Sequence, residues 1–258
     1  MSGSISSGEN VLDEAVLRRL DFVIEQVLAR KLIPILDEHD TDLCQRAVAA
    51  CAEKLKAFWR QIASRYAGRY PALLFDILNE PGGNMTSAQW NSLLGECLRI
   101  IRAGSPDRGV IVAALNTEEA PIDELALLAE DRRLIVTFHY YAPLRFTQQG
   151  APWSPTFSKI GPLNWGSAEH EAKIMADFDR IRLWAEKERR PIYLGEFGVY
   201  ERAPSDSRTK YLSFVARTAE RYGWAWAYWQ FDHDFAAFDG ARQAWNRDIL
   251  RAIIPSAR

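Results

Sequence analysis

Strand-like and helix-like patterns alternate along the whole of this 258-residue chain, and that alternation restricts the fold more than any other feature. Apolar residues at Leu17, Leu20, Val23, Ile24 and Val27 make a helical stripe over 12–30. A short apolar run follows, Leu32-Ile33-Pro34-Ile35-Leu36, and stops at Asp37-Glu38-His39. Beyond it, 47–66, 87–103, 122–129, 168–189, 205–222 and 245–252 read as helices, with Thr86 or Ser87 as an N-cap. The segments 72–78, 109–115, 134–140, 192–194 and 224–230 read as strands. Six strands alternating with seven helices predict an α/β fold, a parallel sheet with helical crossovers. No repeat, low-complexity tract or linker interrupts the pattern, so 1–258 reads as a single domain, with 1–11 a disordered or tag-like N-terminus.

Two of the strand runs end on a glutamate. Glu80 closes Leu73-Leu74-Phe75-Asp76-Ile77-Leu78-Asn79-Glu80-Pro81, and Glu196 closes Pro191-Ile192-Tyr193-Leu194-Gly195-Glu196-Phe197-Gly198. A carboxylate at the end of a buried strand, beside Pro or Gly, is where parallel barrels place their chemistry. A pair of them suits general acid and nucleophile roles, of which glycoside hydrolysis is the commonest use. As a surface residue, Glu196 between two glycines is harder to explain than Glu80 before Pro81.

Composition excludes several other functions. A net charge of −2 gives no basic footprint for nucleic acid or an anionic membrane. No apolar run reaches membrane-spanning length. The four histidines are scattered and no Cys/His spacing suits zinc, so neither metal nor cofactor is expected. Cys44 and Cys51 lie seven residues apart on a predicted helix, about 10 Å along its axis, too far to bridge. With Cys97 they read as buried free thiols. Nine Trp is a high count. About half are expected in the core and the rest as flat platforms for sugar rings. The loop 142–166 carries Phe146, Trp153, Phe157 and Trp165 and follows a strand, where barrel enzymes put functional loops. There, Trp153 and Trp165 divide evenly between anchors of the loop and ligand platforms, whereas His170 and His233 read as surface residues.

Taken together, Asn79-Glu80-Pro81 and Gly195-Glu196-Phe197-Gly198 resemble the two signatures of glycoside hydrolase family 5, the cellulase-type (β/α)8 enzymes. Thr137-Phe138-His139-Tyr140-Tyr141 is similar to the end of that family's sixth strand, and Trp226-Ala227-Tyr228-Trp229 to its eighth. His39 matches the histidine that ends its third strand, and Phe146-Thr147-Gln148-Gln149-Gly150-Ala151 a loop of one bacterial branch. The resemblance implies a TIM-barrel-type hydrolase of β-1,4-glucan that retains anomeric configuration. In it Glu80 would be the acid/base and Glu196 the nucleophile. Asn79 would bind the sugar 2-hydroxyl, Tyr141 would hydrogen-bond Glu196, His39 and His139 would shape the subsite, and Trp229 would stack on a sugar, with Trp153 a further substrate contact. Such a pair works with carboxyl groups about 5–5.5 Å apart, one protonated and one ionised.

The resemblance covers the family's strands three to eight and finds nothing for the first two. The arginine that the family's second strand directs at the nucleophile has no counterpart. Asp40 and Gln148 stand where the family has histidine. An incomplete barrel exposes strand edges, which predicts self-association into a homo-oligomer, closure into a smaller barrel, or a plug formed by the helix at 12–30; self-association is the favoured expectation. The departures also leave two other readings: a weakly active or inactive relative that binds glycans, and a hydrolase of mannan or β-1,3-glucan. The family implies secretion, while the first eight residues have neither the basic nor the apolar region of a signal peptide.

Overall fold

A computed structural model describes residues 10–115 and 122–254, so most of the expected N-terminal tail lies outside the described residues. The chain divides into two compact units, Met1–Thr137 and Phe138–Arg258. The first contains α1 (Glu14–Ala29), β1 (Ile35–Asp37), α2 (Asp42–Arg46), α3 (Val48–Arg65), β2 (Leu74–Asp76), α4 (Ser87–Gly104) and β3 (Val110–Ala113), then β4 (Leu134–Tyr140), whose end belongs to the second unit. The second continues with α5 (Leu144–Thr147), α6 (Ala168–Glu188), β5 (Ile192–Phe197), α7 (Ser205–Arg221), β6 (Ala225–Trp226), a hairpin of β7 (Phe238–Asp239) and β8 (Ala244–Trp245), and α8 (Arg247–Ile253). The strand order β1-β2-β3-β4-β5-β6 follows the chain. Parallel pairing sets Ile35 against Leu74, Phe75 against Val110 and Val110 against Leu134 in the first unit, and Tyr193 against Ala225 in the second. This is the α/β fold with six parallel strands that the alternation predicted, of the (β/α)8 type that the resemblance implied.

Local chemistry accounts for the boundaries. Asp13 caps α1 by accepting the N–H groups of Ala15 and Val16. Thr86, not Ser87, caps α4 in a reciprocal capping box with Gln89. Ser167 and His170 make the same box at α6, so His170 is a capping residue as well as a surface one. The first strand begins at Ile35 because Pro34 has no N–H for the ladder, although its carbonyl still accepts from Leu74 at 3.0 Å. Leu32, Ile33 and Ile35 remain exposed, as do Val16, Phe22 and Val23 on α1. The short helix expected at 122–129 is a single 3-10 turn, Ile122–Glu124. Among the described residues no helix is long and apolar enough to cross a membrane.

Five of the nine tryptophans, Trp59, Trp90, Trp165, Trp184 and Trp224, are buried, in line with the core share expected. Two of them secure the strand ends of the first unit. The indole N–H of Trp59 donates to Ile77 O at 3.0 Å, and that of Trp90 to Ala113 O at 2.9 Å. In the second unit Phe138, Phe178 and Trp224 pack edge-on or tilted with ring centres 5.3–5.6 Å apart.

Arg108 is a structural residue with no sequence signal. It is 5% exposed, lies over the Phe75 ring, and donates to the carbonyls of Tyr66, Arg69, Tyr70 and Leu73 at 2.6–2.9 Å. It thereby satisfies carbonyls left over where α3 ends. Burial pulls its guanidinium below the usual value. Arg108→Ala would remove four hydrogen bonds, leaving Tyr66 O and Tyr70 O with their backbone donors alone, and would open a cavity under Phe75; it is expected to destabilise the protein by about 3 kcal/mol in urea unfolding.

The reading of the cysteines is corrected. Cys44 and Cys51 form a disulfide, with Cα atoms 4.7 Å apart. The expectation assumed one continuous helix. Instead the chain breaks at Ala47 (φ −137°, ψ 77°), so α2 and α3 are separate and the two thiols turn toward each other. Closing so short a loop contributes about 2–3 kcal/mol in the chain-entropy account. Cys97 is the buried free thiol expected, and burial pushes it up to about 12.

Candidate active site

In the first unit the ends of β1 and β2 bring three of the predicted residues onto adjacent backbone. Glu38 N–H reaches Asp76 O at 3.4 Å, and Asn79 N–H donates to Glu38 O at 2.8 Å. The ladder between the two strands is thus carried past their ends to the residue before Glu80. Glu80 itself has φ +41°, in the left-handed region. That conformation costs a non-glycine residue about 1–2 kcal/mol. Such strain persists where the surroundings over-determine the backbone, and it clusters at functional sites. His39 is half exposed, with Nδ1 2.8 Å from Asp37 Oδ2, which fixes the ring's orientation.

Glu38 was not singled out in the sequence, yet its carboxyl is strongly perturbed. Burial raises it to about 7; Asp40 and Asp37 push the same way and the Lys54 ammonium opposes them. Lys54 is paired with Asp40. Since the folded value lies above the unfolded 4.5, the folded state holds the proton more tightly. Stability from this group is full below about pH 4.5 and is lost as pH rises to about 7, by about 3 kcal/mol in total. Glu38→Gln removes the titration, so the variant is expected to gain stability relative to wild type across that interval. Urea midpoints at several pH values check this.

In the second unit the end of β4 faces the end of β5. The Tyr141 hydroxyl donates to Glu196 Oε2 at 2.8 Å, and His139 Nδ1 lies 3.5 Å from the same oxygen. Both His139 and Glu196 keep about a seventh of their side-chain surface exposed, enough for a ligand to reach. The backbone that carries Tyr141 is held on both sides. Buried Tyr211 donates to Tyr140 O at 3.3 Å and Ala142 O at 3.1 Å, and Thr147 Oγ1 donates to Tyr141 O. Burial, with the Asp177 charge adding, raises Tyr211 well above the usual phenol value, so it stays a donor.

Trp229 continues the β5 pairing beyond β6, its N–H donating to Phe197 O at 3.0 Å. The approach is so close that a Cβ on Gly198 would overlap the Trp229 carbonyl and lie 2.8 Å from the Phe235 ring. The second glycine of the Gly195-Glu196-Phe197-Gly198 motif is there for this contact. Trp229 and Tyr141 pack against a small cluster of Ala151, Tyr200 and Phe235. Trp153 is 48% exposed and meets Tyr200 edge-on at 4.7 Å. The structure therefore gathers Glu196, His139 and Tyr141 at one place, and joins Tyr141, Trp229 and Trp153 through aromatic contacts. Tyr200 and Phe235, which link them, carried no motif.

Trp165 is an anchor rather than a platform: it is 4% exposed and stacks on His170. Buried Gln149 pins the same long loop, donating to Phe146 O at 2.9 Å and accepting from Leu163 N–H at 2.6 Å. A groove of about 1020 Å³ lies along α6, α7 and α8 of the second unit, lined by residues such as Lys210, Phe214 and Arg217; Trp165 lines it, but none of the residues assigned to catalysis or substrate does.

The chain matches the family "Cellulase (glycosyl hydrolase family 5)" over residues 1–234. Endoglucanase H of Acetivibrio thermocellus is 30% identical over 250 residues, 94% of this chain and 26% of that protein. The first curated relatives are longer proteins, of which this chain spans 26% to 64%. Among solved structures, the cellulose synthase subunit Z of Clostridioides difficile superposes with a TM-score of 0.92 at 33% identity, covering 97% of this chain and 84% of that one. Endoglucanase Cel5A of Thermotoga maritima, also solved with cellobiose and with mannotriose, gives 0.90 at 37%, covering 94% and 79%.

Proposed function

The chain belongs to glycosyl hydrolase family 5, the cellulase family, and we propose that it hydrolyses β-1,4-glucan internally, with retention of configuration. The observation that carries this reading is the Tyr141 hydroxyl donating to Glu196. A donor aimed at a carboxylate favours its ionised form and holds it in place for attack. In the proposed reaction Glu196 bonds to the anomeric carbon as the glycosidic C–O bond breaks, and Glu80 gives its proton to the departing oxygen. Glu80, now ionised, takes a proton from water, whose oxygen displaces Glu196 from the sugar. Asn79 is assigned to the sugar 2-hydroxyl, His39 and His139 to the flanks of the cleaved bond, and Trp229 and Trp153 to sugar rings.

The test is reducing-end release from a panel of soluble β-1,4-glucan, β-mannan and β-1,3-glucan, with the first-formed anomer read by NMR. The proposal expects β-1,4-glucan to be cleaved fastest and the β-anomer to appear first. Mannan is in the panel because Cel5A of Thermotoga maritima has been seen with mannotriose as well as cellobiose. Preference for mannan would move the substrate assignment and keep the chemistry. An α-anomer appearing first would overturn the nucleophile role of Glu196.

A further inference from the structure

Helix α2 cannot hold itself in place. It has five residues, and Thr41 gives it no side-chain cap. Isolated helices this short do not persist in water. Contacts on two sides locate it. On one, the disulfide ties Cys44 to Cys51 in the first turn of the long helix α3. On the other, the Gln45 carbonyl accepts the Asn84 N–H at 3.1 Å. Gly83 is pressed so closely there that a Cβ on it would lie 2.5 Å from Gln45 Cα, and it has φ +69°. Gly83 and Asn84 follow Glu80 on a short, proline-stiffened connection, Pro81-Gly82. The disulfide, α2, the Gly83–Asn84 turn and Glu80 therefore form one mechanical series within the first unit.

We propose that the Cys44–Cys51 disulfide is a positioning device for Glu80: it fixes α2, α2 backs the Gly83–Asn84 turn, and the turn keeps Glu80 in its left-handed backbone. Turnover then depends reversibly on the redox state of this bond. This rests on the reading of Glu80 as the acid/base. In reduction by a dithiol, the Cys44–Cys51 S–S bond breaks and both sulfurs become thiols. The two electrons and two protons come from the reductant, which closes its own disulfide. Without the bond, α2 is left with its packing against α3, the chain through Ala47 and the Lys54–Asp40 pair just before it. Gln45 then withdraws from Asn84, and the Glu80 carboxyl moves away from the bond it must protonate. The device is at home in an oxidising compartment.

The test uses the full chain in three forms: oxidised, reduced with dithiothreitol, and Cys44→Ala/Cys51→Ala, all assayed well below their melting temperatures. The reduced protein and the double variant are expected to lose about ten- to a hundredfold in kcat, with KM within about twofold. Reoxidation is expected to restore the wild type, and dithiothreitol to leave the double variant unchanged. Gly83→Ala, with both cysteines intact, is expected to reproduce the kcat loss. Hydrogen exchange is read in parallel without substrate. Amides of 80–85, Asn84 above all, are expected to exchange faster on reduction, while those of β2 and β3 stay protected. That readout separates the brace from the glucanase reading, because it holds for a chain that cleaves no glucan. Wild-type kcat in the double variant, or unchanged exchange at Asn84 on reduction, would overturn the proposal.

Discussion

Glu196→Gln is expected to lower kcat on soluble β-1,4-glucan by about 10⁴-fold or more, with KM changed only slightly. The amide keeps the size of the side chain and can still accept from Tyr141, so the loss reports the missing nucleophile and not a collapsed site. Glu196 lies in β5, between Leu194 and Phe197, both fully buried, and the change at the strand end leaves that packing alone. Tyr141→Phe separates the nucleophile from its orientation. It removes the 2.8 Å hydrogen bond while keeping the ring against Phe235, whose centre is 6.1 Å away. About tenfold in kcat is the expected cost, since one hydrogen bond to a charged group contributes about 1.5–3 kcal/mol at most. Full activity in Glu196→Gln would remove the residue from the reaction, and a loss in Tyr141→Phe as large as that in Glu196→Gln would mean that the tyrosine does more than orient.

What could be read from the sequence divides along physical lines. The two glutamates stand out in the sequence because each interrupts an apolar run, and a charge at the end of a buried strand has few structural explanations; their catalytic roles remain a proposal. The helices were legible because their stripes and caps are local, as Thr86 with Gln89 shows. Arg108 was not, because its acceptors, from Tyr66 to Leu73, lie 35 to 42 residues away and nothing near it in the chain announces a cap. The disulfide was misread for a related reason. Spacing along an ideal helix decides which residues can meet only if the helix is continuous, and the break at Ala47 has neither a proline nor a glycine beside it to signal it. Glu38 escaped notice because a carboxyl one residue from a predicted histidine looks like a solvated neighbour until its burial is known. The aromatic set shows both outcomes: Trp229 was visible through its motif, while Phe235, the ring that Tyr141, Trp153 and Tyr200 all meet, sits in a stretch of Asp and His that reads as a plain loop.

Glu80→Gln is expected to show a pattern that Glu196→Gln cannot. An acid/base residue takes part in both halves of a retaining reaction, as proton donor to the leaving oxygen and then as acceptor from water. On β-1,4-glucan, whose leaving group needs the proton, the variant is expected to lose about 10²–10⁴-fold in kcat. On an aryl glycoside with a dinitrophenolate leaving group, departure needs no proton, so bond cleavage is expected to stay fast and the covalent glycosyl-enzyme to accumulate. A burst of phenolate followed by a slow steady state is the signature. Azide, which attacks without a base, is expected to restore the steady state and to give the β-glycosyl azide. The same additive given to Glu196→Ala would enter from the opposite face and give the α-azide. The two products assign the roles independently of any rate. The left-handed backbone at Glu80, φ +41°, gives a second handle on the same carboxyl. A site that holds a residue in that conformation has its geometry set by the neighbouring chain, so variants that leave Glu80 in place but relax the turn after it are expected to weaken protonation of poor leaving groups while sparing the dinitrophenyl substrate. Equal losses on both substrates would place the turn's contribution in substrate binding and not in proton transfer.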